Sequence, residues 1–184
     1  MVVDEIVRRH HLSWAMAPSQ VPDAVVAKRH ALSAAADGAG GSVPPVLLVK
    51  PLTFMNRSGE AMAAVARYYD VAPSDALVVV DEVALPFGRL RARAHGSAGG
   101  HNGLKSIAER LGSTQFPRLR LGVGRGDTRR DLADHVLSVF EASERAGLDD
   151  FIARAADAAE LFAAEGISTV MNVYNPGSAG PVTD

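Results

Sequence analysis

The sequence predicts an α/β fold: a single-domain three-layer sandwich in which a twisted, mixed and largely parallel sheet is flanked by helices. Three observations carry this. Strand-like runs alternate with helical runs along the chain. One run, Ala76–Val80 (ALVVV), is continuously apolar, the mark of a strand buried on both faces. The chain has 184 residues, 47% hydrophobic and 22% charged, enough for one core and one domain over residues 1–175.

Each element follows from local pattern. Residues 2–12 predict a helix with Val2, Val3, Ile6 and Val7 on one face, and no residue before it can cap its first turn. Residues 24–31 predict a strand, and 33–45 (SAAADGAGGSVPP) a Gly/Ala/Pro loop. Residues 46–49 form a short apolar strand that Pro51 stops. Helical spacing spans 60–69. Residues 88–94 alternate Arg with small or apolar residues, which predicts a strand with one wet, basic face. The glycine loop His95–Gly103 then opens a helix over 104–111, and RLRLGV at 118–123 is a further strand. Residues 129–138 and 144–165 read as helices, the latter with Leu148, Ile152, Ala155, Ala159 and Phe162 as its buried stripe. Residues 176–184 read as a disordered tail.

Composition removes several function classes. There is no Cys, so disulfides, thiolate metal sites and a thiol nucleophile are excluded. No apolar run reaches the length of a membrane span, and the N-terminus lacks the apolar stretch of a signal peptide. A cytoplasmic protein is expected. The formal net charge of −2 argues against a nucleic-acid partner only while the chain is taken whole. Residues 88–130 hold ten Lys/Arg against two Asp/Glu, and residues 131–184 hold two against ten. Such asymmetry points to an anionic partner at one face.

Four features could carry chemistry. Asp81 follows the ALVVV run, where ligands of α/β sheets bind; a carboxylate there can orient a His or hold a metal, or simply cap a turn. Gly99–Gly103 (GGHNG) can bring backbone N–H groups to an anion or a carbonyl oxygen, or be a plain loop capped by Asn102. Arg89, Arg91 and Arg93 share one strand face by period 2, and Arg118 and Arg120 share another; together they make either a solvated face or a phosphate-tracking surface. Gly122–Gly126 resembles a dinucleotide fingerprint only weakly. The adjacent His10 and His11 lack the spacing of a metal-chelating pair, and Trp14, Tyr68 and Tyr69 read as packing residues.

Lys50–Gly59 (KPLTFMNRSG), Asp81-Glu82, Gly88–Ile107 (GRLRARAHGSAGGHNGLKSI) and Arg118–Gly124 (RLRLGVG) stand in the order of the bacterial peptidyl-tRNA hydrolases, which the chain resembles over residues 1–175. The resemblance implies hydrolysis of the ester between a peptide and the 3′ end of tRNA, without metal or organic cofactor, by a monomer. It implies that Asp81 orients the general-base His and that Asn56 and Asn102 hold the peptide and polarise the ester. It also implies that His101, in the same loop, binds substrate and that Arg91, Arg93 and Arg120 grip tRNA phosphates. The departures are specific. The family's opening strand and TRHN segment, which carries the base, have no counterpart here, and none of His10, His11 or His30 lies in that motif. Val80 and Ala84 stand where the family often has His and Asp, and the 33–45 loop is longer than usual. Loss of an inner strand would orphan backbone groups at about 1–3 kcal/mol each, against a total stability of about 5–15 kcal/mol. A gene start read too late, leaving a chain weak or inactive as an esterase, is therefore expected; a non-catalytic RNA-binding relative is the alternative. A nucleotide-dependent oxidoreductase rests only on the 122–126 glycines.

Overall fold

A computed structural model describes residues 1–21, 23–30, 44–125 and 139–175. The chain is α/β and divides into two compact units, one of residues 1–76 and 95–116, the other of residues 77–94 and 117–184.

The first unit begins with α1 (Val2–Arg9), which buries Val2, Ile6 and Val7. The helix stops short of the expected residue 12 because His11 adopts a positive φ of 50°. Its first turn is not bare. The Asp4 carboxylate receives the Met1 amino group and Lys50 Nζ at 2.7 and 2.9 Å, tying α1 to the sheet. The sheet is antiparallel, ordered β1 (Ala15–Met16), β2 (Ala24–Arg29), β3 (Val46–Pro51). Pro51 does end its strand, opposite Ala24. A 3-10 turn at Met55–Arg57 leads into α2 (Ser58–Tyr69), and α3 (Asn102–Leu111) packs beside α2. Val21, Ala24 and Val65 form a small core with Leu47, Val49 and Tyr69 around it. Tyr69 also stacks under Lys28 and Trp14 lies near Lys50, the packing roles expected for these aromatics.

The second unit holds β4 (Val78–Glu82), β6 (Arg118–Gly122) and β5 (Leu90–Arg93) in that order. The β4–β6 ladder is parallel and β6–β5 is antiparallel. The mixed sheet of the expectation is present here; across both units, antiparallel ladders outnumber the one parallel ladder among the described residues. β2 and β3 pair antiparallel along their whole length, from Ala24 opposite Pro51 to Arg29 opposite Val46. β4 corrects the ALVVV reading: all five of its residues are half-buried, because the strand stands at the end of its sheet order with β6 on one side.

A long helix, α4 (Ala142–Tyr174), breaks at Gly166, whose φ is 78° and ψ 177°. It buries Phe151, Ala155, Ala156, Ala158 and Val170. Only Ala155 of the expected stripe is among them. Alanines lie on most faces of this helix, so apolar periodicity says little about which side packs. Phe87 stacks edge-on against Phe140 and Phe151, seating the helix start in its unit. The expected helix over 129–138, most of the 33–45 loop and the 176–184 tail lie outside the described residues.

Candidate functional site

In the first unit the expected residues Asn56, His101 and Asn102 fall on two adjacent elements. Asn56 sits in the 3-10 turn, and His101 and Asn102 form the start of α3, which packs against that turn. The local reason lies in the loop glycines. Gly99 and Gly100 take φ of 60° and 84°, which turns the chain so that α3 starts at once. His101, not Asn102, caps the helix: its Nδ1 accepts the Leu104 N–H at 3.2 Å. The alternative of a plain loop capped by Asn102 is thus corrected. Capping by His101 leaves the Asn102 amide exposed in the first turn, with no hydrogen bond from its side chain among the described residues. Asn56 is likewise exposed, its amide unbonded among the described residues.

The surface beside these amides is apolar. Leu52, Phe54 and Met55 are exposed large hydrophobics, Phe54 by 80%. Exposed carboxamides bordered by apolar side chains suit a ligand that is partly amide or ester and partly hydrocarbon. His101 stands in this loop as expected, but its ring nitrogen is used to hold the helix.

The second unit carries Asp81, Arg91, Arg93 and Arg120. The register puts Arg91 directly opposite Arg120, and Arg93 directly opposite Arg118. These four arginines of two strands therefore share one face of the ladder. They are not equivalent. Arg91 and Arg93 are exposed and have no ion-pair partner among the described residues. Arg118 is only 1% exposed, and burial, with repulsion from Arg120, lowers its pKa. Arg120 Nη1 hydrogen-bonds and ion-pairs with Glu82 Oε2, both side chains being mostly buried. Glu82 Oε1 also accepts the Ala84 N–H at 3.1 Å, so the turn after β4 is built on Glu82. Arg89 lies before the strand, with its carbonyl accepting the Gly122 N–H at 2.7 Å.

Asp81 pairs in register with Leu121, so it stands on the opposite face from these arginines, with Leu90, Ala92, Leu119 and Leu121. Those four neighbours are buried; Asp81 is half-buried at the strand's end. Sequence reasoning passed over Glu82 and Asn175. The Asn175 carboxamide accepts the Ala92 N–H at 2.8 Å and donates to the Ala92 carbonyl at 2.9 Å, as a strand neighbour would. Gly122 is explained by packing: a Cβ there would lie 2.0 Å from the Pro86 carbonyl oxygen. Arg129, Arg130 and Gly126 lie outside the described residues.

A family model described as peptidyl-tRNA hydrolase matches residues 1–181. A peptidyl-tRNA hydrolase of Synechococcus sp. (strain JA-3-3Ab) is 54% identical over 129 residues, covering 70% of this chain and 57% of that protein. The Gloeobacter violaceus peptidyl-tRNA hydrolase is 39% identical over 184 residues, covering all of this chain and 87% of its own length. The crystal structure of peptidyl-tRNA hydrolase from Acinetobacter baumannii superposes with a TM-score of 0.78 at 26% identity, over 95% of this chain and 83% of that one.

Proposed function

The chain belongs to the peptidyl-tRNA hydrolase family, and on that premise we propose that it acts on the ester joining a peptide to the 3′ end of tRNA. The observation that carries the reading is the pair of exposed carboxamides, Asn56 and Asn102, unbonded among the described residues and set on two packed elements. An ester carbonyl gains negative charge as water adds to it. Carboxamide N–H donors fixed beside that oxygen stabilise the charge without reorganising. The water oxygen bonds to the carbonyl carbon, the bond to the ribose 3′ oxygen breaks, and the proton that water gives up passes by way of a base to that oxygen. Asp81 is read as the carboxylate that orients the base. Asn56 and Asn102 hold the peptide and polarise the ester, with His101 supporting the loop. No metal or organic cofactor enters these steps.

Arg91 and Arg93 are read as the contacts to tRNA phosphates, since they are exposed and carry no acidic partner among the described residues. Arg120 contributes through a charge that Glu82 compensates. We read the protein as a monomer working in the cytoplasm on peptidyl-tRNA. No helix among the described residues is long and apolar enough to cross a membrane.

The 184 residues by themselves are read as a slow esterase, because none of His10, His11 or His30 falls in the family's catalytic-His motif. The test is peptide release from N-acetylaminoacyl-tRNA under single turnover, with and without added imidazole as a diffusible base. Slow cleavage that imidazole accelerates, and that Asn102→Ala abolishes, is expected. A second reading, a tRNA-binding relative without catalysis, is favoured by Val80 and Ala84 standing where the family often has polar residues. Cleavage that stays at the spontaneous rate even with imidazole replaces the first reading with the second.

A further inference from the structure

Resting on that reading, we propose that Ser106 is a positioning residue, whose hydroxyl, together with close backbone approaches at Gly59 and Gly103, sets the separation of the Asn56 and Asn102 carboxamides. Ser106 lies in the middle of α3 and is only 7% exposed. Serine is a poor choice there on helix propensity alone, so its hydroxyl calls for an explanation.

That hydroxyl oxygen accepts the Gly59 N–H at 3.0 Å, in a buried setting and from 47 residues away in sequence. Gly59 is the second residue of α2, so its N–H belongs to the first turn, whose N–H groups have no partner within the helix. A local side chain usually meets that need, but Arg57 at the N-cap of α2 makes no capping bond from its side chain. The cap of α2 thus comes from α3. One hydrogen bond closes the helix end and ties the two helices together.

Two glycines let the elements come this close. A Cβ on Gly59 would sit 2.1 Å from the Ser106 carbonyl oxygen and 2.5 Å from its carbonyl carbon. A Cβ on Gly103 would sit 2.6 Å from Met55 Sδ. Met55 immediately precedes Asn56, and Gly103 immediately follows Asn102. Ser106 is four residues beyond Asn102, on the same side of α3 one turn along. Each carboxamide therefore hangs one residue from a close approach of the two elements, and the Ser106–Gly59 bond fixes the second point of the same junction. Ser106 acts through this junction and does not itself touch the ligand.

Two readouts test this. The first is affinity for N-acetylphenylalanyl-3′-aminoadenosine, whose amide resists hydrolysis, compared among the wild-type chain, Ser106→Ala and Val170→Ala. Val170 is fully buried in the second unit and serves as a stability control. Well below the melting temperature, Ser106→Ala is expected to lose about tenfold in affinity while Val170→Ala stays within about twofold, since sub-ångström misplacement of binding groups is costly and a remote cavity is not. Equal affinity for Ser106→Ala and wild type overturns the proposal, as does an equal loss in Val170→Ala.

The second readout needs no ligand. The side-chain amide NMR signals of Asn56 and Asn102 are expected to shift in Ser106→Ala and to stay in place in Val170→Ala. Unchanged signals overturn the proposal even if the wild-type chain fails to bind the probe, a failure that would count against the ester-site reading itself. Should Ser106→Ala not fold, Gly103→Ala probes the same junction from the other contact. Its new methyl must displace the flexible Met55 side chain, so an unmoved Asn56 amide there is equally decisive against it.

Discussion

The Glu82 carboxylate holds the Arg120 guanidinium on the one sheet face that also carries Arg91, Arg93 and Arg118. Like charges directly opposite one another destabilise a ladder, and here they stand opposite twice. By pairing with Arg120, Glu82 makes the arginine face tolerable and also lowers that face's charge. Glu82→Gln separates the two effects. Stability should fall by about 1.5–3 kcal/mol, the worth of a hydrogen bond to a charged group. Affinity for tRNA at low salt should rise, with a steeper dependence on salt. Urea denaturation and filter binding measure the two; affinity that falls together with stability would show that Glu82 orders Arg120 for RNA contact instead.

Arg91 and Arg93 stand exposed on β5 beside that pair. Arg91→Ala with Arg93→Ala should weaken tRNA binding, and should reduce the slope of log affinity against log salt by about 0.7–0.9 for each phosphate that is no longer neutralised. Titrations at several salt concentrations read this directly. An unchanged slope removes both residues from the proposed phosphate surface.

Asn175 occupies the backbone of Ala92, between those two arginines, with two hydrogen bonds. Replacing it by Ala strands a donor and an acceptor at the sheet edge. A loss of about 1–3 kcal/mol is expected in urea denaturation. The tRNA salt slope should also shrink, because the strand bearing Arg91 and Arg93 loses its outer support. A variant as stable as wild type would mean that water serves Ala92 equally well.

The acid side of the stability profile should reveal α1. Arg8 and Arg9 hydrogen-bond the Glu5 carboxylate and bring its pKa from 4.5 down to about 2. A carboxyl whose pKa is lower folded than unfolded stabilises the fold above its unfolded pKa. That contribution is complete above about 4.5 and fades as pH falls towards about 2. Glu5→Gln should therefore melt below wild type at neutral pH, by a modest margin because the group is exposed, with the gap closing in acid. Melting temperatures across that range give the comparison; a gap independent of pH would assign the loss to packing.

Much of this was legible beforehand because it rests on local rules. Period-2 arginines announced β5, the glycine loop announced the start of α3, and Pro51 does end β3. What stayed hidden depends on register and on distant partners. Nothing local says that Arg91 faces Arg120, that Asp81 lies on the opposite face from both, or that Glu82 pairs with Arg120. Nothing local says that His101 and not Asn102 caps α3, or that the cap of α2 is supplied by Ser106 from 47 residues away. The face that α4 buries was equally hidden, since its alanines satisfy several stripes at once. The regional charge was visible, but which of its arginines are exposed was not.

Asn56 and Asn102 are proposed to let this chain recognise a peptide joined to the 3′ end of tRNA. The most direct measurement compares its affinity for an amide-linked peptidyl-tRNA with that for the same tRNA carrying no peptide. About tenfold tighter binding of the peptidyl form is expected, with loss of that preference in the Asn56→Ala, Asn102→Ala double variant while general tRNA binding persists, since the added contacts are a few hydrogen bonds and some apolar area. Equal affinity for the two tRNAs in the wild-type chain would contradict it.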